Sequence, residues 1–218
     1  MAIAQGIEDL DVRAVEWVKK NRRTATLSVA ALALVGGSLW FWWTAQERRE
    51  IFAERALSTA RGSAEAGNLP LASSDLSRMV STYGGTRAAQ EATLLLAQVQ
   101  LLQKQPALAV GNLRKFLASS PREEFRGPAN GLLGAALEES AQPLEAAKAY
   151  EAAANATSYK GVEAQYLVDA GRTFATAGDT AQAARVYERV IKEFKSQSAA
   201  AEAEVRLAEL RKSPPKEE

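Results

Sequence analysis

The chain has 218 residues, with 27 lysines and arginines against 26 acids and a formal net charge of +1, so its bulk charge marks no nucleic-acid or polyanion binder. It contains no cysteine and no histidine. Those two absences exclude disulfides, thiolate metal sites, Ser-His-Asp triads, Cys-His pairs and HExxH zinc sites.

From Gly6 to Arg23 the apolar residues Ile7, Leu10, Ala14, Val15 and Val18 recur at helical spacing, and Lys19, Lys20, Arg22 and Arg23 close the segment. Two readings stand side by side: an interfacial helix whose basic end meets anionic lipid, or a frayed lead-in to an apolar span. From Thr24 to Gln46 no residue is charged. A helix through Thr24–Ala45 rises roughly 33 Å at about 1.5 Å per residue, enough to cross a ~30 Å hydrocarbon core. Trp40, Phe41, Trp42 and Trp43 crowd its far end, where aromatic rings favour the headgroup level. The pattern predicts a single transmembrane signal anchor with a cytoplasmic N-terminus. Arg48, Arg49 and Arg55 just beyond it weaken the charge bias. A cleavable signal fits less well, because Glu8, Asp9, Asp11 and Glu16 precede the run and Trp43 stands where cleavage needs a small residue. Ala33 and Gly37 form a small-xxx-small pair that permits close helix approach in lipid, which leaves dimerisation open.

No helix breaker separates Glu47 from Ala66, so the helix is expected to continue into the next domain. Gly67-Asn68 reads as a C-cap and turn, and Leu69-Pro70 as a helix start. Beyond this point the chain repeats. Ala72, Ala109, Ala146 and Ala183 lie at a constant interval of 37 residues. In the same register Ala60, Ala97, Gly134 and Gly171 are small, and Leu76, Leu113, Tyr150 and Tyr187 are large. Val80, Leu117, Ala154 and Ile191 form another apolar column, and Gly67, Lys104, Ala141 and Gly178 fall where each periodic stretch breaks. Antiparallel helices need a small residue where their axes approach and a large one beside it, and stacked copies then share one core. Ser198 to Lys212 is a further helix, with Ala201, Val205, Ala208 and Leu207 near one face, and residues 213–218 read as a disordered tail.

The spacing inside each unit resembles the tetratricopeptide repeat. Leu96-Ala97, Ala109, Leu113 and Pro121 carry the resemblance in one unit, and Leu133-Gly134, Ala146, Tyr150 and Ala153 in the next. Ala170-Gly171, Phe174, Ala183 and Tyr187 form the last, while Ala60, Ala72 and Leu76 make a sparser first copy. The interval exceeds that family's 34 residues, and its tryptophan is absent. The expected fold is therefore all-α: a cytoplasmic segment (1–23), the anchor (24–46), a solenoid of about four helix pairs plus a capping helix (47–212), and the tail.

No catalytic constellation emerges. Tyr83-Gly84-Gly85-Thr86 lacks the Lys-Ser/Thr pair of a P-loop and reads as a cap, and Gly127–Gly131 as a turn and helix start. Glu123-Glu124 and Glu138-Glu139 are sequence neighbours, which do not converge on a helix. The chain is expected to have no enzymatic activity and no cofactor. In the repeat frame the first helices present Glu91, Leu94, Gln98 and Leu101, then Pro128, Gly131, Ala135 and Glu138, then Gln165, Val168, Arg172 and Ala175. Gln98, Leu101, Ala135, Glu138, Gln165 and Arg172 are the candidate groove for a protein or peptide partner.

The whole arrangement resembles the YfgM-like family of ancillary SecYEG translocon subunits. The features that carry this are the acidic start, Glu16-Trp17-Val18-Lys19-Lys20-Asn21 before the span, the glycine-bearing span ending in Trp-Phe-Trp-Trp, and the alanine-rich repeats. The resemblance implies a bacterial inner-membrane protein with periplasmic repeats, and SecYEG and periplasmic chaperones as partners. A second reading is an envelope-assembly or division scaffold similar to CpoB-type proteins, which are exported without a retained anchor.

Overall fold

Helix α1 runs from Arg22 to Glu65 in the computed structural model, which describes residues 22–212. The side chains of residues 24, 25, 28, 29 and 39 lie outside the described residues. So do the expected segment from Gly6 to residue 21, its Lys19 and Lys20, and the tail. The chain divides into two units, Met1–Arg49 and Glu50–Glu218.

In the first unit Arg22 and Arg23 are exposed, and so is the apolar surface beyond them, from Leu34 (72% exposed) to Trp43 (66%). The hydroxyls of Thr26 and Thr44 donate to carbonyls of their own helix, at Arg22 and Arg23 and at Trp40 and Phe41. Among the described residues no helix is long and apolar enough to cross a membrane, so the expected transmembrane span is not supported. Gly36, Gly37, Ser38 and the indole N–H groups dilute an otherwise uncharged stretch.

The second unit contains the end of α1 and eight further helices: α2 (Leu69–Tyr83), α3 (Arg87–Leu102), α4 (Pro106–Ala118), α5 (Glu123–Glu139), α6 (Pro143–Asn155), α7 (Lys160–Thr176), α8 (Thr180–Glu193) and α9 (Ser198–Lys212). No strand occurs among the described residues. Successive helices pack as antiparallel pairs, α9 covers α7 and α8, and the first helices of neighbouring pairs also meet, α3 with α5. First helices therefore form the inner face and second helices the outer one.

Local chemistry fixes the joints. Gly67, Lys104, Ala141 and Gly178 all adopt left-handed backbone, with φ of 77°, 59°, 56° and 83°. At each, the left-handed residue's N–H bonds three residues back and the next N–H bonds five back, as in Ala141 to Glu138 (2.9 Å) and Gln142 to Leu137 (2.9 Å). This is the Schellman closure of a helix end. Pro70, Pro106 and Pro143 then open the following helices, where a missing N–H costs nothing. Asn68, Thr86 and Asp179 cap helices with their side chains. Glu50 accepts from the backbone N–H groups of Arg87 (3.0 Å) and Ala88 (2.8 Å), tying α1 to the start of α3.

The repeat columns form the core. Ala72, Ala109, Ala146 and Ala183 are completely buried. Where the paired residue is leucine, at Leu76 and Leu113, its small counterpart is alanine, at Ala60 and Ala97; where it is tyrosine, the counterpart is glycine. A Cβ at Gly134 would stand 2.7 Å from the Tyr150 ring, and one at Gly171 2.5 Å from Tyr187. Burial also raises the Tyr187 hydroxyl pKa, to about 12.

Two expectations are corrected. Gly127–Gly131 lies inside α5 and starts nothing; the helix absorbs Pro128, whose missing N–H leaves the Glu124 carbonyl without its helical donor. In α9 the buried face is Ala199, Ala203 and Leu207, while Ala201, Val205 and Ala208 are exposed, Val205 by 58%. The i, i+4, i+8 row through Ala199 lets α9 seat closely on α7 and α8, which the branched Val205 would prevent.

Gly171→Ala is expected to destabilise the fold by about 1–3 kcal/mol of overpacking, offset in part by roughly 1 kcal/mol of helix propensity. Adding Tyr187→Leu recreates the alanine–leucine pair of the earlier repeats, so a double-mutant cycle from urea unfolding should show favourable coupling. Strict additivity would contradict it. Ala141→Gly relieves a left-handed alanine and should raise stability by about 1 kcal/mol, read as a higher urea midpoint.

Candidate functional site on the inner face

The six residues predicted for the groove do not act alike. Gln98 on α3 and Gln165 on α7 are exposed and bond to no described residue. Ala135 is half-buried and leaves room between helices. Leu101 packs on the edge of the core around Leu113 and Phe116. Glu138 and Arg172 are brought together as partners of each other, so neither stands free for a peptide as expected.

The guanidinium of Arg172 donates from Nη1 to Glu138 Oε1 at 2.7 Å and from Nη2 to Oε2 at 2.9 Å. This joins α5 to α7 across the repeat boundary in bidentate geometry, the strong form of an Arg–carboxylate pair. Tyr150 on α6 donates its hydroxyl to Glu138 Oε2 at 2.8 Å, and Asp169 Oδ1 lies 3.7 Å from Arg172 Nη2. Burial alone would raise the Glu138 pKa, but the hydrogen bonds from Arg172 and Tyr150 outweigh it and hold the carboxyl below its usual range. Asp169 shifts the other way, because its burial exceeds what Arg172 returns. Burial and the adjacent Glu138 raise the Tyr150 hydroxyl far above its usual value, so it remains a donor. Sequence reasoning placed Tyr150 only in an apolar column; the hydroxyl that distinguishes it from Leu76 and Leu113 was the available signal.

Where the first turns of α5 and α7 meet the loop after α6 lies an open recess of about 580 Å³ that sequence reasoning missed. Glu123, Glu124 and Pro128 on α5 form one wall, and Tyr159, Val162 and Tyr166 the other. Tyr159 is 76% exposed. The Tyr166 ring reaches α5 because residue 131 is glycine: a Cβ there would stand 2.6 Å from Tyr166 Cε1. Glu124 is paired with Arg87 at 2.8 Å, and Glu123 has no ion pair with a described residue. Aromatic walls with an acidic rim suit a partner side chain that is apolar along its stem and basic at its tip. Among the described residues no three His, Cys, Asp or Glu side chains gather as a metal site.

The folded-state pKa of Glu138 is depressed, so its contribution is present above the unfolded carboxylate range and fades as pH falls through the folded value. Glu138→Gln should therefore cost about 1.5–3 kcal/mol at pH 7, the value of hydrogen bonds to a charged group. The deficit should shrink below roughly pH 4, near the unfolded glutamate value. Urea unfolding at pH 7 and pH 3.5 reads both; a deficit independent of pH would show that the charge contributes nothing.

No curated protein sequence matches the chain. Among solved structures, MamA from Desulfovibrio magneticus RS-1, spanning residue 41 to its end, is 21% identical with a TM-score of 0.54, over 67% of this chain and 77% of that one. Another MamA structure is 18% identical with a TM-score of 0.54, over 73% and 86%. A Podosopora anserina protein of kinesin light chain type, with nearly identical TPR-like repeats, is 17% identical with a TM-score of 0.59, over 72% and 84%. These likenesses show the fold, an all-α solenoid. Residues 44–170, more than half of the chain, match the tetratricopeptide repeat-like domain family, and the chain belongs to that family.

Proposed function

We propose that this protein is a membrane-tethered interaction module of the bacterial inner membrane, with its N-terminus in the cytoplasm and its repeats in the periplasm. It assists protein translocation or quality control beside a Sec-type translocon, with SecYEG and periplasmic chaperones as partners. In this reading it performs no turnover and holds no cofactor. The observation that carries the reading is the uncharged stretch from Thr24 to Gln46, where Leu27, Leu32, Leu34, Trp40, Phe41, Trp42 and Trp43 are exposed. Water is a poor solvent for such a surface, and a bilayer or a membrane-embedded partner would cover it. Lys19, Lys20, Arg22 and Arg23 on one side, and Trp40, Trp42 and Trp43 on the other, support the orientation. The resemblance to YfgM-like translocon subunits supports the location and the partners.

The binding surface in this reading is the inner face, with Gln98 and Gln165 as free hydrogen-bonding groups and the tyrosine recess as an aromatic contact. The Glu138–Arg172 pair joins α5 to α7 farther along the same two helices. A photo-crosslinking amino acid at Gln98 or Gln165 should capture membrane-associated or periplasmic proteins in cells. Recovery of cytoplasmic proteins alone, or of nothing, would sink the proposal. Carbonate extraction should leave the chain in the membrane pellet, whereas release would favour the exported CpoB-type scaffold.

A further inference from the structure

One groove of the outer face carries a pocket lined from α2, α3, α4 and the loops that follow α2 and α4. It lies between α2 and α4, is floored by α3, and measures about 370 Å³, within the ~300–1,000 Å³ of ligand sites. Val80, Leu96, Phe116 and Pro121 supply its apolar surface, and Asn112 and Lys115 its polar rim. Ala89, buried on α3, lines the pocket. The equivalent position in the next repeats carries larger side chains, Arg126 and then Glu163. The Arg126 side chain folds back toward the chain ahead of its helix, donating from Nε to the Pro121 carbonyl at 3.1 Å. Glu163 is only 9% exposed and is held by Lys160 (2.8 Å) and Arg189 (3.3 Å). At position 89 a methyl group stands where the next two repeats carry an arginine and a glutamate.

The charge of the site is equally specific. Lys115 is exposed and makes no ion pair with a described residue, and it is the one charged side chain in the lining. The backbone N–H groups at the start of α3 cannot serve an anion, because Glu50 takes those of Arg87 and Ala88, and Thr86 Oγ1 takes that of Ala89 at 3.1 Å. The site therefore offers an apolar slot with one unneutralised ammonium at its edge. We propose that it is a second binding site, which takes an apolar side chain of a partner protein with a carboxylate on an adjacent residue. The proposal does not rest on the inner-face reading. At about 100° per residue, Gln98 points roughly 180° away from Ala89 around α3, so the two surfaces lie on opposite sides of that helix.

The test uses the full chain in lipid nanodiscs and a fluorescein-labelled, end-blocked octapeptide, GSDLFDSG, with GSNLFNSG and GSKLFKSG as counterparts. Fluorescence anisotropy should show saturable binding of the acidic peptide, with the other two weaker by about tenfold or more, as expected for a close charge pair at an apolar anchor. Lys115→Glu should reverse the preference toward GSKLFKSG. Ala89→Arg, which installs the residue of the next repeat, should abolish binding while the circular dichroism melt stays unchanged. Should Ala89→Arg lower the melt, the charge reversal at Lys115 decides alone. Failure of the acidic peptide to saturate, or a preference that Lys115→Glu leaves intact, overturns the proposal. Tighter binding of soluble 4-phenylbutyrate through the same residues would make this a small-carboxylate site and overturn the assignment to a partner protein.

Discussion

The repeats depend on one contact: the point in each helix pair where a small residue lets a large one cross beneath it. Alanine admits leucine and glycine admits tyrosine, and the difference between the two solutions is one methyl group against one ring edge. Because protein interiors pack as densely as organic crystals, the two pairings are not interchangeable halves. Exchanging one member alone either opens a void or forces a clash. The alanine column at Ala72, Ala109, Ala146 and Ala183 repeats the same logic one turn along, and the full burial of all four results from it.

The columns and joints were legible because each reports a local requirement. A residue must be small where axes approach, and proline fits only the first turn of a helix. The break column at Gly67, Lys104, Ala141 and Gly178 was readable as a turn, yet two of its members are not glycine. Their left-handed backbone is imposed by the surrounding helices, which no propensity scale encodes. Pro128 misled for the mirror-image reason: packing around Gly131 and Gly134 carries α5 through a residue that marks a start elsewhere.

Contacts between repeats were hidden. Nothing in the spacing of Glu138 and Arg172 said that they would spend their hydrogen bonds on each other, since such pairs depend on how far one repeat is rotated over the next. The exposed pairs Arg61–Glu91 (2.6 Å) and Arg185–Glu151 (2.9 Å) arise in the same way. Each is worth about 0–1 kcal/mol, so they set register more than stability. The recess around Tyr159 and Tyr166 was equally unreadable, because Gly131 looked like a turn residue until a ring was found lying on it.

The Tyr150 hydroxyl has a wider consequence. Its ring fills the contact inside the third repeat, while its oxygen is bonded to the carboxylate that grips Arg172 of the fourth. One side chain thus links packing within a unit to attachment between units. In a linear array, stability is the sum of intrinsic terms and nearest-neighbour terms. The third and fourth units share such a term through Tyr150; Leu76 and Leu113 have no hydroxyl with which to make one. The junctions of the array are then chemically unequal: the third-to-fourth junction is tied to the packing inside a repeat, whereas the earlier ones are held by bonds such as Arg61–Glu91 and Arg87–Glu124 that leave the Leu76 and Leu113 contacts untouched.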